Sequence, residues 1–402
     1  MTAMRSPLSR QQPNLPAAAL SKPSTTADKP ASLESIDAKL TILDDVLGRG
    51  GFGTIHRGKL GTRDVAVKIV SHGDAHDPES FAADIGADIA AEEVELHSSL
   101  MGTKGVGAFV GEDADPPMHA SIVQFITSRA EPERTLLVLE LVAGVDLYEQ
   151  LAACPTRRLE PADARKIVMQ LVDALAFCHT RGVAHLDVKA DNLLIGAGFA
   201  LKLIDFGSAA ICEGEDAWAE ERGGTDEYMS PERLDGGSLV DEHPEYACEL
   251  DDEGRFRGPA ADVYSVGVVA TLALSGQEPF DFSARDADGA LVDTFFSAFE
   301  RLEAGDPGFS KPAWVAARVG ADATDFVRVA MRCGASARPS AEALLRHAWL
   351  AGPAAGEPEE AVEALVSGAA FDMSELQGCL EEEGAPCAVP MRRMRPALRL
   401  RG

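Results

Sequence analysis

The sequence predicts an α+β fold in two lobes, a small β-rich lobe with one main helix followed by a larger, mostly α-helical lobe. Three observations carry that expectation. Two apolar, β-prone stretches flank a glycine cluster between Leu40 and Val70, a pattern of strand, turn and strand. A further strand-like run, Leu136 to Leu141, closes on Ala143-Gly144. From there helical patterns dominate as far as Leu350.

Each segment has a local cause. Residues 1–38 are rich in Pro, Ser and Ala without a hydrophobic period, so they bury too little surface to offset ordering entropy and are expected to form a disordered extension. They are also poor in acid before Asp28 and carry Arg5, Arg10 and Lys22, which fits an organelle transit peptide, and both readings stay open. The folded domain is expected over residues 39–350, with its first lobe over about 39–142 and its second over about 143–350. An Ala-, Glu- and Leu-rich segment running to Leu100 predicts the helix of the small lobe. Residues 351–402 begin as an acidic, partly helical stretch and end in a basic tail from Met391 to Arg401.

A chain of 402 residues with 46% hydrophobic side chains can build a sizeable core. Its longest apolar runs, such as Val266 to Leu274, are too short to cross a bilayer, and no signal peptide opens the sequence, so a soluble cytoplasmic or nuclear protein is expected. The seven cysteines are scattered and none forms a C-x-x-C pair, which reads as reduced thiols. With 37 basic and 65 acidic side chains the formal charge is −28, which disfavours nucleic acid or an anionic membrane as partner. Basic peptides suit that charge, as does solubility alone.

The chemistry sits in short motifs. His185-Leu-Asp-Val-Lys-Ala-Asp-Asn192 offers an acid, a lysine and an amide, and Asp205-Phe206-Gly207 adds a second carboxylate shortly after. Amide and carboxylate oxygens suit Mg2+, a hard cation. Gly48-Arg-Gly-Gly-Phe-Gly-Thr-Ile55 fits G-x-G-x-x-G, in which glycines let backbone amides approach phosphate oxygens. A dinucleotide fold would need a helix directly after the glycines, whereas here a second strand ends in Val65-Ala66-Val67-Lys68. Further on come Gly224-Thr-Asp-Glu-Tyr-Met-Ser-Pro-Glu232, Asp262-Val-Tyr-Ser-Val-Gly267 and Ala337-Arg-Pro-Ser340.

In this order the motifs resemble those of eukaryotic protein kinases of serine/threonine type, over about residues 42–350. The resemblance implies the bilobal kinase fold, ATP and Mg2+ as cofactors, and transfer of the γ-phosphoryl group to Ser or Thr of protein substrates. It makes Asp187 the acceptor of the hydroxyl proton and Lys189 the group that neutralises charge on the moving phosphoryl. It makes Asn192 and Asp205 the Mg2+ ligands and Lys68 the contact to the α- and β-phosphates. Gly48, Gly50, Gly51, Gly53, Ile55, Ala66 and Leu194 belong to the implied nucleotide site. Leu139 would guard its back pocket, Glu140 and Val142 would offer backbone bonds to adenine, and Asp146 would reach the ribose or a basic substrate residue. Thr225 would bond to Asp187 and Lys189, Glu232 would pair with Arg338, and Asp262 would open the helix that anchors the catalytic loop.

Lys68 needs a carboxylate partner, for which Glu92, Glu93 and Glu95 compete. The stretch from Glu93 to Leu100 resembles polo-like kinases, which selects Glu93 and sets His97 on the same helix face as a packing residue. The loop His185-Leu186-Asp187 instead resembles myosin light-chain kinases. There Leu186 replaces the arginine that pairs with a phosphorylated activation segment, and between Phe206 and Gly224 the only hydroxyl side chain is Ser208. Activity independent of activation-loop phosphorylation is therefore expected.

The interval from Glu232 to Asp262 is long and acidic, an insertion over about 235–258 that either recruits basic substrates or is a solvated loop. Asp146 and Asp191 suggest substrates with basic residues upstream of the target hydroxyl. The basic tail reads as a plain disordered end, as a pseudosubstrate, or as the site of an acidic, calmodulin-like regulator. The rival reading is a catalytically silent scaffold of the same fold, against which Lys68, Asp187, Asn192 and Asp205 all stand in place.

Overall fold

Five segments rich in β-branched and aliphatic residues form one antiparallel sheet. They are β1 (Leu40–Gly50), β2 (Gly53–Leu60), β3 (Arg63–Ser71), β4 (Phe125–Glu131) and β5 (Arg134–Glu140), in spatial order β1-β2-β3-β5-β4. The computed structural model describes residues 39–50, 53–72, 82–100, 119–212, 217–220, 223–234, 250–251, 253–285 and 291–352. The amino-terminal extension, the tail after Gly352 and most of the acidic insertion lie outside these residues.

Side chains on a strand alternate between faces, and the sheet uses both. Val65 and Val67 of β3 join Leu60, Ile126, Leu136 and Val138 in a cluster on one face. Ala66 and Val70 turn to the other face and meet Leu137, Leu139 and the helix α1 (Ala82–Leu100) through Ala90, Val94, Leu96 and Leu100. Lys68, between Ala66 and Val70 in that alternation, must face the helix as well. Strand periodicity alone thus carries a lysine into the interior.

After Leu141–Gly144 the chain enters the helical lobe. It runs through β6 (Val145–Asp146), α2 (Leu147–Ala153), α3 (Pro161–His179), β7 (Val183–Ala184), β8 (Leu193–Ile195), β9 (Leu201–Leu203), β10 (Ala210–Ile211) and β11 (Trp218–Ala219). Then come α4 (Pro231–Leu234), β12 (Phe256–Arg257) and α5 (Gly258–Ser275), and short helices between Phe295 and Ala351 complete the lobe. The 18 residues of α5 exceed the apolar run read from sequence and would suffice, by length and composition, to span a membrane, yet most of that helix is buried inside the protein. It packs against α3 at the centre of the lobe. One core runs from Val70 and Leu139 in the sheet, through Phe206, to Val266 and Leu350 in the helices.

Candidate active site

The inward-facing Lys68 is met by α1. Its ammonium donates to Glu93 Oε1 at 2.9 Å and Oε2 at 2.8 Å, and to Asp205 Oδ1 at 2.7 Å. Glu92 and Glu95 lie on the exposed side of the helix, so of the three competing carboxylates Glu93 is the one at Lys68. Burial works against the Lys68 charge, but Asp205 and Glu93 outweigh it and hold the ammonium above its ordinary range. Burial likewise opposes ionisation of Asp205, and Lys68 overcomes it, bringing that carboxyl down to about 2. For Glu93 burial moves the carboxyl up against the pull of Lys68.

Asp205 occupies the left-handed backbone region (φ 61°), as does Leu186 (φ 61°), the residue before Asp187. Such conformations are costly away from glycine and persist only where the surroundings over-determine them. Here the surroundings are a column of rings. His97, one helical turn after Glu93, stacks on Phe125 at 5.1 Å, and Phe206 lies between His97 (5.1 Å) and His185 (4.8 Å). Burial beside Lys68 lowers His97 to about 3, so its ring is neutral. The base of the column is fixed by Asp262 of α5, which accepts from the amides of His185 and Leu186, both at 2.8 Å, and bonds His179 at 2.8 Å.

This anchorage presents the loop 185–192 with its side chains converged. Asp187 Oδ1 accepts from Thr225 Oγ1 at 3.1 Å, and its Oδ2 is 2.7 Å from Lys189 Nζ and 3.1 Å from Asn192 Nδ2. Lys189 also donates to Thr225 Oγ1 at 2.9 Å. The Asn192 carbonyl accepts from the amide of Ile204 (3.0 Å), which sets Asn192 beside Asp205. A proton acceptor, two ammonium groups and hard oxygen donors therefore share one cleft.

The other expected nucleotide residues fall on or beside the strands around these groups. Gly48 pairs with Ile55, and Gly50 with Gly53, across the β1–β2 hairpin, while Gly51 lies outside the described residues. At Gly53 (φ 145°) a Cβ would fall 2.1 Å from the Ile69 carbonyl oxygen, so only glycine fits. Ile55 and Val142 are half-buried against the core, with Ala66 and Leu139 buried behind them. Leu194 pairs with Asp146 in the β6–β8 ladder.

Two expectations are narrowed. The Glu140 amide already donates to the Gln124 carbonyl at 2.9 Å, so it is not free for the adenine bond expected of it. Asp146 Oδ1 caps α2 by accepting from Glu149 N at 2.8 Å, so part of that carboxylate is committed to the helix start. Sequence reasoning also missed Lys202, which joins Glu140 behind the cleft at 2.5 Å, and the Tyr148–Tyr228–Glu278 hydrogen-bond cluster. Lys202 sits between Leu201 and Leu203 on β9, and that alternation was the available signal.

Residues 115–350 match the family model described as a protein kinase domain. The chain belongs to the protein kinase family. Its two-lobed architecture is the kinase fold, and the glycine hairpin and Lys68 complete it ahead of the matched residues. The chain is 31% identical to CBL-interacting protein kinase 4 of Oryza sativa subsp. japonica, over 80% of this chain and 62% of the relative. Calcium/calmodulin-dependent serine/threonine-protein kinase 1 of the same plant is 28% identical over 76% of this chain and 43% of the relative. CDPK-related kinase 7 of Arabidopsis thaliana is 28% identical over 77% and 46%. The chain thus spans less than two thirds of the length of these kinase relatives. They point to CBL-interacting and CDPK-related kinases, and the polo-like and light-chain-kinase hints from Glu93–Leu100 and His185-Leu186-Asp187 find no support in them.

Proposed function

We propose that this chain is an active serine/threonine protein kinase that transfers the γ-phosphoryl group of ATP to protein hydroxyls and needs no phosphate on its activation segment. The observation that carries this reading is Lys68 bonded at once to Glu93 and Asp205 while Lys189 and Thr225 hold Asp187. A silent scaffold has no use for that convergence.

Asp187 takes the proton of the substrate hydroxyl as its oxygen bonds to the γ-phosphorus. The bond to the β–γ bridging oxygen breaks, ADP keeps that electron pair, and Lys68 and Lys189 meet the charge that develops. The donor set fits Mg2+: Asn192 and Asp205 offer hard oxygens, and this ion commonly takes one or two protein ligands and fills its shell with water and phosphate. Bound there, Mg2+ would supply charge neutralisation to the phosphates.

On the substrate side, burial raises the Asp191 carboxyl, Lys189 pulls it down and Asp146 pushes it up again, while Glu278 takes bonds from Tyr148 and Tyr228. This gathering of acids beside the catalytic loop favours substrates with basic residues upstream of the target Ser or Thr. For regulation, the relatives' names carry CBL and calcium/calmodulin, and on this chain the basic tail Met391–Arg401 has the charge to meet an acidic regulator.

Protein produced in a bacterial host without eukaryotic kinases, then treated with phosphatase, should phosphorylate a basic peptide, and an Asp187→Asn control should not. Loss of transfer after phosphatase treatment alone defeats phosphate independence. Absence of transfer before and after it defeats the kinase reading.

A further inference from the structure

Leu186 replaces the arginine that, in phosphate-switched kinases, would bind the activation segment, and the structure fills that place in another way. The Leu186 side chain is buried in a small apolar cluster with Ala184, Ala210, Ala219, Phe256 and Ala261. Four parts of the chain meet there: the catalytic loop, the activation segment, α5 and β12. The last of these, Phe256–Arg257, is the end of the insertion read over about 235–258, so that end, expected as loop, is a strand. It pairs antiparallel with the activation segment, Trp218 opposite Arg257 and Ala219 opposite Phe256, and the Arg257 guanidinium lies 5.0 Å from the Trp218 ring centre.

A second tie comes from α4. Arg233 is only 7% exposed, a burial that arginine seldom accepts without acceptors for its donors. It donates through Nη1 to the Leu186 carbonyl and through Nη2 to the Gly223 carbonyl, each at 2.8 Å, and its guanidinium lies 5.0 Å from the centre of the Phe256 ring. One side chain thus holds the catalytic loop and the activation segment together by charge-assisted bonds, and Phe256 backs it. The approach is close. A Cβ on Gly224 would fall 2.9 Å from Met229 Cε, 3.2 Å from the Leu186 carbonyl oxygen and 3.3 Å from Arg233 Nη2. Directly after Gly224 comes Thr225, whose hydroxyl bonds both Lys189 and Asp187.

We propose that Arg233 and Phe256 are positioning residues that form a phosphate-free tether, holding Gly223–Thr225 against the catalytic loop so that Thr225 keeps Asp187 and Lys189 in register. The proposal rests on the reading of this chain as a kinase independent of activation-segment phosphorylation, and it supplies the device that makes such independence workable. An arginine on two carbonyls and an apolar cluster need no modifying enzyme, and the apolar part is insensitive to salt.

The test uses the full chain, unphosphorylated, with Arg233→Met, Phe256→Ala, Phe256→Leu and Leu186→Arg. Hydrogen exchange of peptides covering Trp218 to Tyr228 reads the tether itself. Peptide kcat, counted per site that binds a non-hydrolysable ATP analogue, reads its effect on catalysis. Arg233→Met and Phe256→Ala should speed exchange in that segment and lower kcat by up to about 10²-fold, as small misplacements do, while affinity for the analogue stays within roughly twofold. Phe256→Leu, which keeps the apolar contact, should restore most of both, a rescue that a generic folding defect would not show. Leu186→Arg restores the family's commoner residue but puts a charge into the apolar cluster, so it should lower activity. Unchanged exchange in Arg233→Met and Phe256→Ala overturns the tether, as does full activity in Leu186→Arg. If the unphosphorylated wild type is inactive although its segment is protected and the variants lose that protection, the tether stands and the functional reading falls.

Discussion

Lys68 in the cleft between the lobes and Arg338 in the helical lobe are both buried and both ion-paired, yet they are satisfied in opposite ways. Arg338 uses all five of its N–H donors: a bidentate pair with Glu232 at 2.7 and 2.8 Å, and the carbonyls of Arg332, Ala260 and Cys333. One cation meets one carboxylate, and the cluster is neutral. The three Lys68 donors all go to carboxylate oxygens, from two different residues, so that cluster keeps a net negative charge. The difference teaches what each site is for. A neutral, fully bonded pair fixes architecture, whereas a pair left with excess negative charge and hard oxygens can accept a cation and phosphate groups.

Substitutions at the two sites can break or sharpen that contrast. Arg338→Leu strands the Glu232 charge in the interior and should cost roughly 3–5 kcal/mol of stability by chemical denaturation, with much of the loss recovered in the double variant with Glu232→Met. Asp205→Asn makes the Lys68 cluster neutral like its counterpart. Its melting temperature should hold, while kcat falls by about 10²- to 10³-fold. Equal damage to stability from both changes would erase the distinction.

The smallest effect lies in the ring column beneath Lys68. His97 titrates near its ordinary 6.5 when the chain is unfolded and at about 3 when folded, so below pH 6.5 the unfolded state binds the extra proton. That lability is absent above pH 6.5 and grows as pH falls toward 3. At pH 5 it amounts to about 2 kcal/mol. His97→Leu should flatten the stability curve between pH 7 and pH 5, and an unaltered curve would show that the ring is not held neutral.

The catalytic cluster was legible because each of its residues sits in a short motif whose order and spacing are themselves informative. Strand alternation turns Lys68 inward, whereas Glu93 was singled out among Glu92, Glu93 and Glu95 only by resemblance, and it is its burial on the helix that distinguishes it. The tether was not legible. β11 and β12 are two residues each, too short for any periodicity, and they lie at opposite ends of the stretch that holds the acidic insertion. Arg233 follows Glu232 on a helix of four residues, where a lone arginine ordinarily reads as solvated. Only the carbonyls of Leu186 and Gly223, brought to it by tertiary packing, reveal its position. The commitment of the Glu140 amide to Gln124 is likewise a matter of how β5 meets the preceding loop.

The strand order bears on where this domain can be cut. β5 lies inside the sheet, paired with β3 from Val65 opposite Glu140 to Ser71 opposite Arg134, although the kinase family match begins only at residue 115. A fragment starting there would keep the β4–β5 hairpin but leave one margin of β5 bare, presenting a row of open amides and carbonyls between apolar side chains such as Val138 and Leu139. Such margins recruit strands from neighbouring molecules, so that fragment should precipitate, and a well-behaved recombinant domain has to begin ahead of Leu40.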